Sequence, residues 1–82
     1  MSQWDKLIDR VIAKDRALRF EELAKVLIRI GYTQQQPRSG SSHYTFRAPE
    51  RSPITIPKDT PINKAYIEIV REAVILYESE AQ

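Results

Sequence analysis

The chain contains no cysteine, only two glycines and a single histidine among its 82 residues. Without cysteine, it can form neither disulfide bonds nor thiolate zinc sites. Two glycines are too few for the glycine-rich phosphate loops of nucleotide-binding proteins. The central part of the chain offers one histidine and one glutamate, which is too small a ligand set for metal-dependent hydrolysis. The composition therefore predicts a protein that uses no metal and no other cofactor.

Long apolar runs are absent as well. No run approaches the roughly 18 residues that a membrane span needs, and the first residues do not have the apolar core of a signal peptide. These absences predict a cytoplasmic protein with no membrane partner. The length fits one domain, residues 1–82, and not two.

The small net charge of +2 is unevenly distributed along the chain. The segment from Gly31 to Lys58 has a single acidic residue, Glu50. Its basic residues are Arg38, Arg47, Arg51 and Lys58. Both flanking segments are close to balanced. A basic middle between neutral ends is typical of a segment that contacts phosphate, although ordinary solvated surface charge gives the same pattern.

Apolar residues recur at helical spacing in three segments. The first two, Ser2 to Ala13 and Phe20 to Ile30, predict amphipathic helices, and Gly31 follows the second where a left-handed C-cap is expected. A third helix is predicted from about Thr60 as N-cap, with Pro61 at the first helical position.

Three short extended segments lie between the second and third helices. Tyr32 to Gln36, Ser41 to Ala48 and Pro53 to Pro57 are separated by turn residues and predict three strands. The order α-α-β-β-β-α indicates an α+β domain, in which a three-stranded antiparallel sheet carries its helices on one face.

The alternation of side chains in these strands assigns them to two faces of the sheet. The apolar set is expected to face the helices: Tyr44, Phe46, Ile54 and Ile56. The aromatic rings are interpreted as core rather than as base-stacking groups, as are Tyr66 and Tyr77 of the third helix. The opposite face, which is expected to be exposed, carries His43, Thr45, Arg47 and Thr55.

His43 is the residue of this face that can transfer protons near neutral pH. It follows the turn Ser39 to Ser42, whose N–H and hydroxyl groups can bind a phosphate oxygen, and it shares a strand face with Arg47. No acid lies in the adjacent strand to complete a serine triad. RNA supplies its own nucleophile, the 2′-hydroxyl, so one general base and nearby cations suffice for its cleavage.

The central motif resembles a known family. The segment Gly40 to Pro49, GSSHYTFRAP, followed by ITIP at residues 54–57, is similar to the signature of the HicA toxins, and the resemblance extends over Phe20 to Ile75. It implies a double-stranded-RNA-binding-domain-like fold, metal-independent cleavage of mRNA and inhibition by a HicB-type antitoxin. It also implies that His43 is catalytic and that Gly40 belongs to the family's turn.

The sequence departs from the family in two places. Many relatives carry a second histidine shortly after the ITIP strand, where this chain has Lys58 and Asp59. The first helix is an N-terminal addition, which either covers one end of the core or contacts a partner.

The sequence therefore predicts the toxin component of a toxin–antitoxin system, an endoribonuclease with His43 as general base. The expected RNA-binding residues are Arg38, Gly40, Ser41, Ser42, Arg47 and Lys58. Two alternatives stay open: a non-catalytic RNA-binding module of the same fold, and a protein-interaction domain that docks partners on its polar sheet face.

Overall fold

The computed structural model describes residues 2–37, 42–58 and 61–80, and in these ranges it contains three α-helices and one antiparallel sheet. The elements are α1 (Gln3–Ile12), α2 (Phe20–Arg29), β1 (Thr33–Gln35), β2 (His43–Arg47), β3 (Ile54–Pro57) and α3 (Lys64–Glu80). The predicted α+β class and element order are confirmed. None of the helices in the described ranges has the length and apolar character that crossing a membrane requires.

The beginning of α1 and the end of α2 are each fixed by local hydrogen bonds that the sequence encodes. The Ser2 hydroxyl accepts from the N–H of Asp5 at 3.1 Å, and the Asp5 carboxylate accepts from the N–H of Ser2 at 3.4 Å, forming a capping box. After α2, Gly31 has φ +112°, and the N–H of Tyr32 donates to the carbonyl of Leu27 at 2.9 Å. This is a Schellman motif, and the predicted role of Gly31 is confirmed.

The third helix begins later than the sequence predicted. Its first residue is Lys64, and the side-chain oxygen of Asn63 accepts from the N–H of Ala65 at 2.8 Å, so Asn63 is the N-cap. The assignment of Pro61 to the first helical position is wrong, because Pro61 precedes the cap. The predicted cap, Thr60, lies outside the described residues.

The strands pair in the order β1-β2-β3, with antiparallel neighbours. In the β2–β3 register, His43 lies opposite Pro57 and Phe46 lies opposite Ile54. Phe46 is fully buried, whereas His43 and Arg47 are exposed. The predicted assignment of side chains to the two faces of β2 is therefore confirmed.

A single hydrophobic core joins the apolar face of the sheet to all three helices. The Phe20 ring of α2 packs on Tyr44 with centroids 4.9 Å apart and on Phe46 at 6.3 Å. At the far side of the core, the Arg71 Nε of α3 donates to the carbonyl of Ile12 at 2.9 Å, which ties α3 to the end of α1. The core lies on the helix side of the sheet, and the other side of β2 faces solvent.

The buried stripe of α3 does not pass through Tyr77, contrary to the prediction. Tyr77, interpreted as core, is 43% exposed, whereas Ile67 is fully buried. The stripe runs instead through Ile67, Val70 and Val74. The sequence was ambiguous here because α3 has apolar residues on nearly every side, so spacing alone did not fix which of them face inward.

Candidate active site

His43 is the first residue of β2 and lies on the polar face of the sheet. Strand alternation places it on the same face as Thr45 and Arg47, opposite the core side chain Phe46. The Thr45 and Thr55 hydroxyl oxygens are 3.2 Å apart across the two strands on this face. The imidazole is therefore on a hydrogen-bonding surface that solvent reaches.

A cavity of about 710 Å³ opens beside His43, at the edge of the sheet where β2 begins and β3 ends. Three parts of the chain form its wall: the ends of the two strands, the connection between α1 and α2, and the beginning of α3. The lining residues comprise three that can carry positive charge, two polar residues and three apolar ones: Arg16, His43, Lys64, Asn63, Tyr66, Pro57, Pro61 and Ile62. None of the described residues that line it is acidic.

The connection that carries Arg16 is held by an ionic network. Arg10 donates to Asp15 at 2.9 Å and to Glu22 at 2.6 Å, and Asp15 also accepts from the N–H of Ala17 at 2.9 Å. The Ala17 N–H and then the Arg10 guanidinium lower the pKa of the Asp15 carboxyl below its ordinary value. These bonds surround Arg16 in sequence and fix the backbone from which its exposed side chain reaches the cavity.

The other cation, Lys64, is placed by the start of α3. The Asn63 cap fixes the first turn of the helix, and Ile62 just before it is buried, which anchors the chain to the core. Tyr66, in the same turn, is half-buried and forms part of the cavity wall. Its interpretation as a core residue is therefore incomplete, since it also borders the space beside His43.

Arg47 is exposed on the same sheet face, and its Nε donates to the side-chain oxygen of Gln35 at 2.9 Å. It follows His43 by four residues, which is about 13 Å along a strand at 3.3 Å per residue. Arg47 does not line the cavity. The structure therefore does not bring Arg47 together with His43 at this cavity.

Lys58 and Ser42 are joined to each other but do not line the His43 cavity. The backbone N–H of Lys58 donates to the carbonyl of Ser42 at 2.8 Å. The Lys58 side chain borders a second cavity of about 470 Å³, on the helix side of the sheet, together with Tyr44 and Lys25. The structure thus places Lys58 on the other side of β2 from the histidine. Ser42 is exposed beside His43.

The remaining predicted site residues, Arg38, Gly40 and Ser41, lie outside the described residues. Sequence reasoning missed Arg16, Lys64 and Tyr66, because each is far from His43 along the chain and no motif links them to it. Their proximity depends on how the helices pack. The one usable sequence signal was Asn63, a residue type that favours the N-cap, because it predicts that Lys64 and Tyr66 lie in the first turn of α3.

In residues 2–37, 42–58 and 61–80, no three histidine, cysteine or carboxylate side chains lie together as a metal site requires. Comparison of the chain with protein-family models, with curated proteins and with solved structures gives no match.

Proposed function

We propose that the chain is a metal-independent endoribonuclease of the HicA type, the toxin of a toxin–antitoxin pair that cleaves mRNA in the cytoplasm. The observation that carries the proposal is the exposed His43, at the mouth of a cavity that also presents Arg16 and Lys64 and that no described carboxylate lines. A proton acceptor and two cations that line one cavity are groups with which cleavage of an RNA phosphodiester can be catalysed.

In the proposed reaction, His43 accepts the proton of a ribose 2′-hydroxyl. The 2′-oxygen forms a bond to the neighbouring phosphorus while the bond from phosphorus to the 5′-oxygen breaks. The leaving 5′-oxygen takes a proton from water or from the imidazolium. The products are a 2′,3′-cyclic phosphate and a 5′-hydroxyl, and general base catalysis of this kind contributes about 10²- to 10⁴-fold to the rate.

Cations must offset the negative charge that develops on the phosphorane oxygens. The sequence offered Arg47, Arg38 and Lys58 for this role. Arg16 and Lys64 fit it better than Arg47 or Lys58, because they border the same cavity as His43. Arg47, farther along β2, suits a phosphate elsewhere on the bound strand.

The fold and the motif support the assignment to this class. The elements α2-β1-β2-β3-α3 follow the order of a double-stranded-RNA-binding-domain-like fold, and α1 precedes them as an addition. The motif GSSHYTFRAP and the strand ITIP carry the resemblance to HicA toxins. We further propose that a HicB-like antitoxin covers the His43 face, where its polar groups would need matched partners.

The test is incubation of the purified protein with total RNA in excess EDTA, followed by a gel and by analysis of the product ends. We expect cleavage that EDTA does not prevent, fragments with 2′,3′-cyclic phosphate ends, and no cleavage of a matched 2′-O-methyl oligonucleotide, which lacks the nucleophile.

Two other outcomes would replace the proposal. RNA that is shifted in a native gel but stays intact would identify a non-catalytic binding module. RNA that is neither bound nor cut would favour a protein-interaction domain. A separate pull-down with the product of the adjacent reading frame tests the antitoxin, and loss of that binding in an Arg47→Glu variant would locate it on the polar sheet face.

A further inference from the structure

We infer that the cavity beside His43 is a subsite for one unpaired nucleotide, so that the substrate is single-stranded RNA and not duplex. The inference rests on the proposed function and adds to it the substrate class and two contact residues. Arg16 binds the phosphate of this nucleotide, and Tyr66 provides a surface on which its base stacks.

The size and lining of the cavity fit a nucleotide. Its volume of about 710 Å³ is within the range of about 300–1,000 Å³ typical of small-ligand sites. One part of the lining is apolar, with Pro57, Pro61 and Ile62, and the aromatic Tyr66 adjoins it. The other part carries Arg16 and Lys64. A nucleotide has the same division, since an apolar base is joined to an anionic phosphate.

The reaction geometry also favours an unpaired nucleotide. In-line attack requires the 2′-oxygen, the phosphorus and the 5′-oxygen to be aligned, and the A-form duplex does not hold them so. A nucleotide that leaves the stack and enters a recess can adopt the aligned form. Enzymes that act on a base likewise take their target nucleotide out of the stack into a pocket. Tyr66 is half-buried in the recess wall, where a stacked base would meet it.

Arg16 gives the N-terminal helix pair a role in the site. It lies on the connection between α1 and α2, which the bonds of Arg10 to Asp15 and Glu22 hold in place. Arg16 is exposed, so its replacement leaves the core unchanged.

The experiment is fluorescence anisotropy with a labelled 2′-O-methyl oligonucleotide, ten nucleotides of mixed sequence, either single-stranded or annealed to its complement. We expect the single strand to bind at least tenfold more tightly than the duplex. Tyr66→Phe should bind within twofold of wild type, while Tyr66→Leu should lose about 5- to 150-fold, the loss typical of one aromatic stacking contact. A urea denaturation of each variant checks that it is folded.

Arg16→Ala is compared with Lys6→Ala, which removes a positive charge from an exposed position on α1 that does not line this cavity. Arg16→Ala should weaken single-strand binding and reduce the slope of log K against log salt by about 0.7, the value for one phosphate contact on a single strand. Lys6→Ala should change neither the single-strand affinity nor the salt slope by more than the experimental error.

Equal affinity for duplex and single strand would overturn the inference, as would a folded Tyr66→Leu that binds like wild type or an Arg16→Ala that behaves like Lys6→Ala. The probe cannot be cleaved, so this result is independent of catalysis. If the expected binding is seen but ordinary RNA is not cut, the subsite stands and the proposed activity is wrong. If RNA is cut without this binding pattern, the activity stands and the subsite is wrong.

Discussion

The β2–β3 register predicts that alanine substitutions on the two neighbouring strands differ in their effect on stability: a large loss at Ile56 and almost none at His43. Ile56 is fully buried beneath the helices, so Ile56→Ala should cost about 2–5 kcal/mol and Ile56→Val about 0.5–1.5 kcal/mol of unfolding free energy. His43 is exposed on the other face, so His43→Ala should stay within about 0.5 kcal/mol of wild type. A domain of 82 residues has a total stability of about 4–12 kcal/mol, so Ile56→Ala removes a large part of it.

The assay is urea denaturation followed by circular dichroism. With a slope of about 1–1.5 kcal/mol/M for so small a protein, Ile56→Val should lower the midpoint by about 0.3–1.5 M. The Ile56→Ala variant should be largely unfolded or have a urea midpoint lower by more than 1 M. The urea midpoint of His43→Ala should lie within about 0.5 M of that of wild type. A His43→Ala midpoint that falls as far as that of Ile56→Ala would refute the register, because the imidazole would then be a core group.

Three further substitutions test the elements that position the site. Gly31→Ala should cost about 1 kcal/mol in urea denaturation because φ +112° is strained for alanine, and an unchanged midpoint would contradict the Schellman motif. Asn63→Ala should cost about 0.5–2 kcal/mol in the same assay, since it removes the cap of α3; no loss would mean that the helix starts elsewhere. Asp15→Asn should destabilise at pH 7, and its difference from wild type should shrink only as pH falls below the unfolded-state pKa of about 3.9. The Ala17 N–H and the Arg10 guanidinium lower the folded-state pKa of the Asp15 carboxyl. The carboxylate therefore contributes its full stabilising free energy above the unfolded-state pKa, and this stabilisation is lost as pH falls through the folded-state pKa. A difference between Asp15→Asn and wild type that is constant from pH 7 to pH 3 would contradict this.

The sequence was informative wherever a local rule fixes structure. Strand alternation placed His43 and Phe46 on opposite faces, and Gly31 marked the end of α2, because each of these depends only on near neighbours in the chain. The start of α3 was misplaced because two capping signals compete within four residues, and the later one, Asn63, is the N-cap.

The site was predicted less fully than the fold. His43 could be found because it is the single histidine and lies on a polar strand face. Arg16 and Tyr66 could not be found, because they reach the cavity through the packing of the helices against the sheet, which no spacing in the sequence encodes. Lys58 shows the converse: it is close to the motif in sequence, but its side chain borders the cavity on the other side of β2.

The rate of RNA cleavage by a His43→Ala variant tests the role of His43 as the general base. Equal concentrations of wild type and variant are incubated with a labelled single-stranded RNA in EDTA, with Lys6→Ala as the exposed control. That role predicts a loss of at least about 100-fold for His43→Ala, the lower range for a general base, with an unchanged urea midpoint, and no loss for Lys6→Ala. Cleavage by the folded His43→Ala variant at the wild-type rate would contradict it.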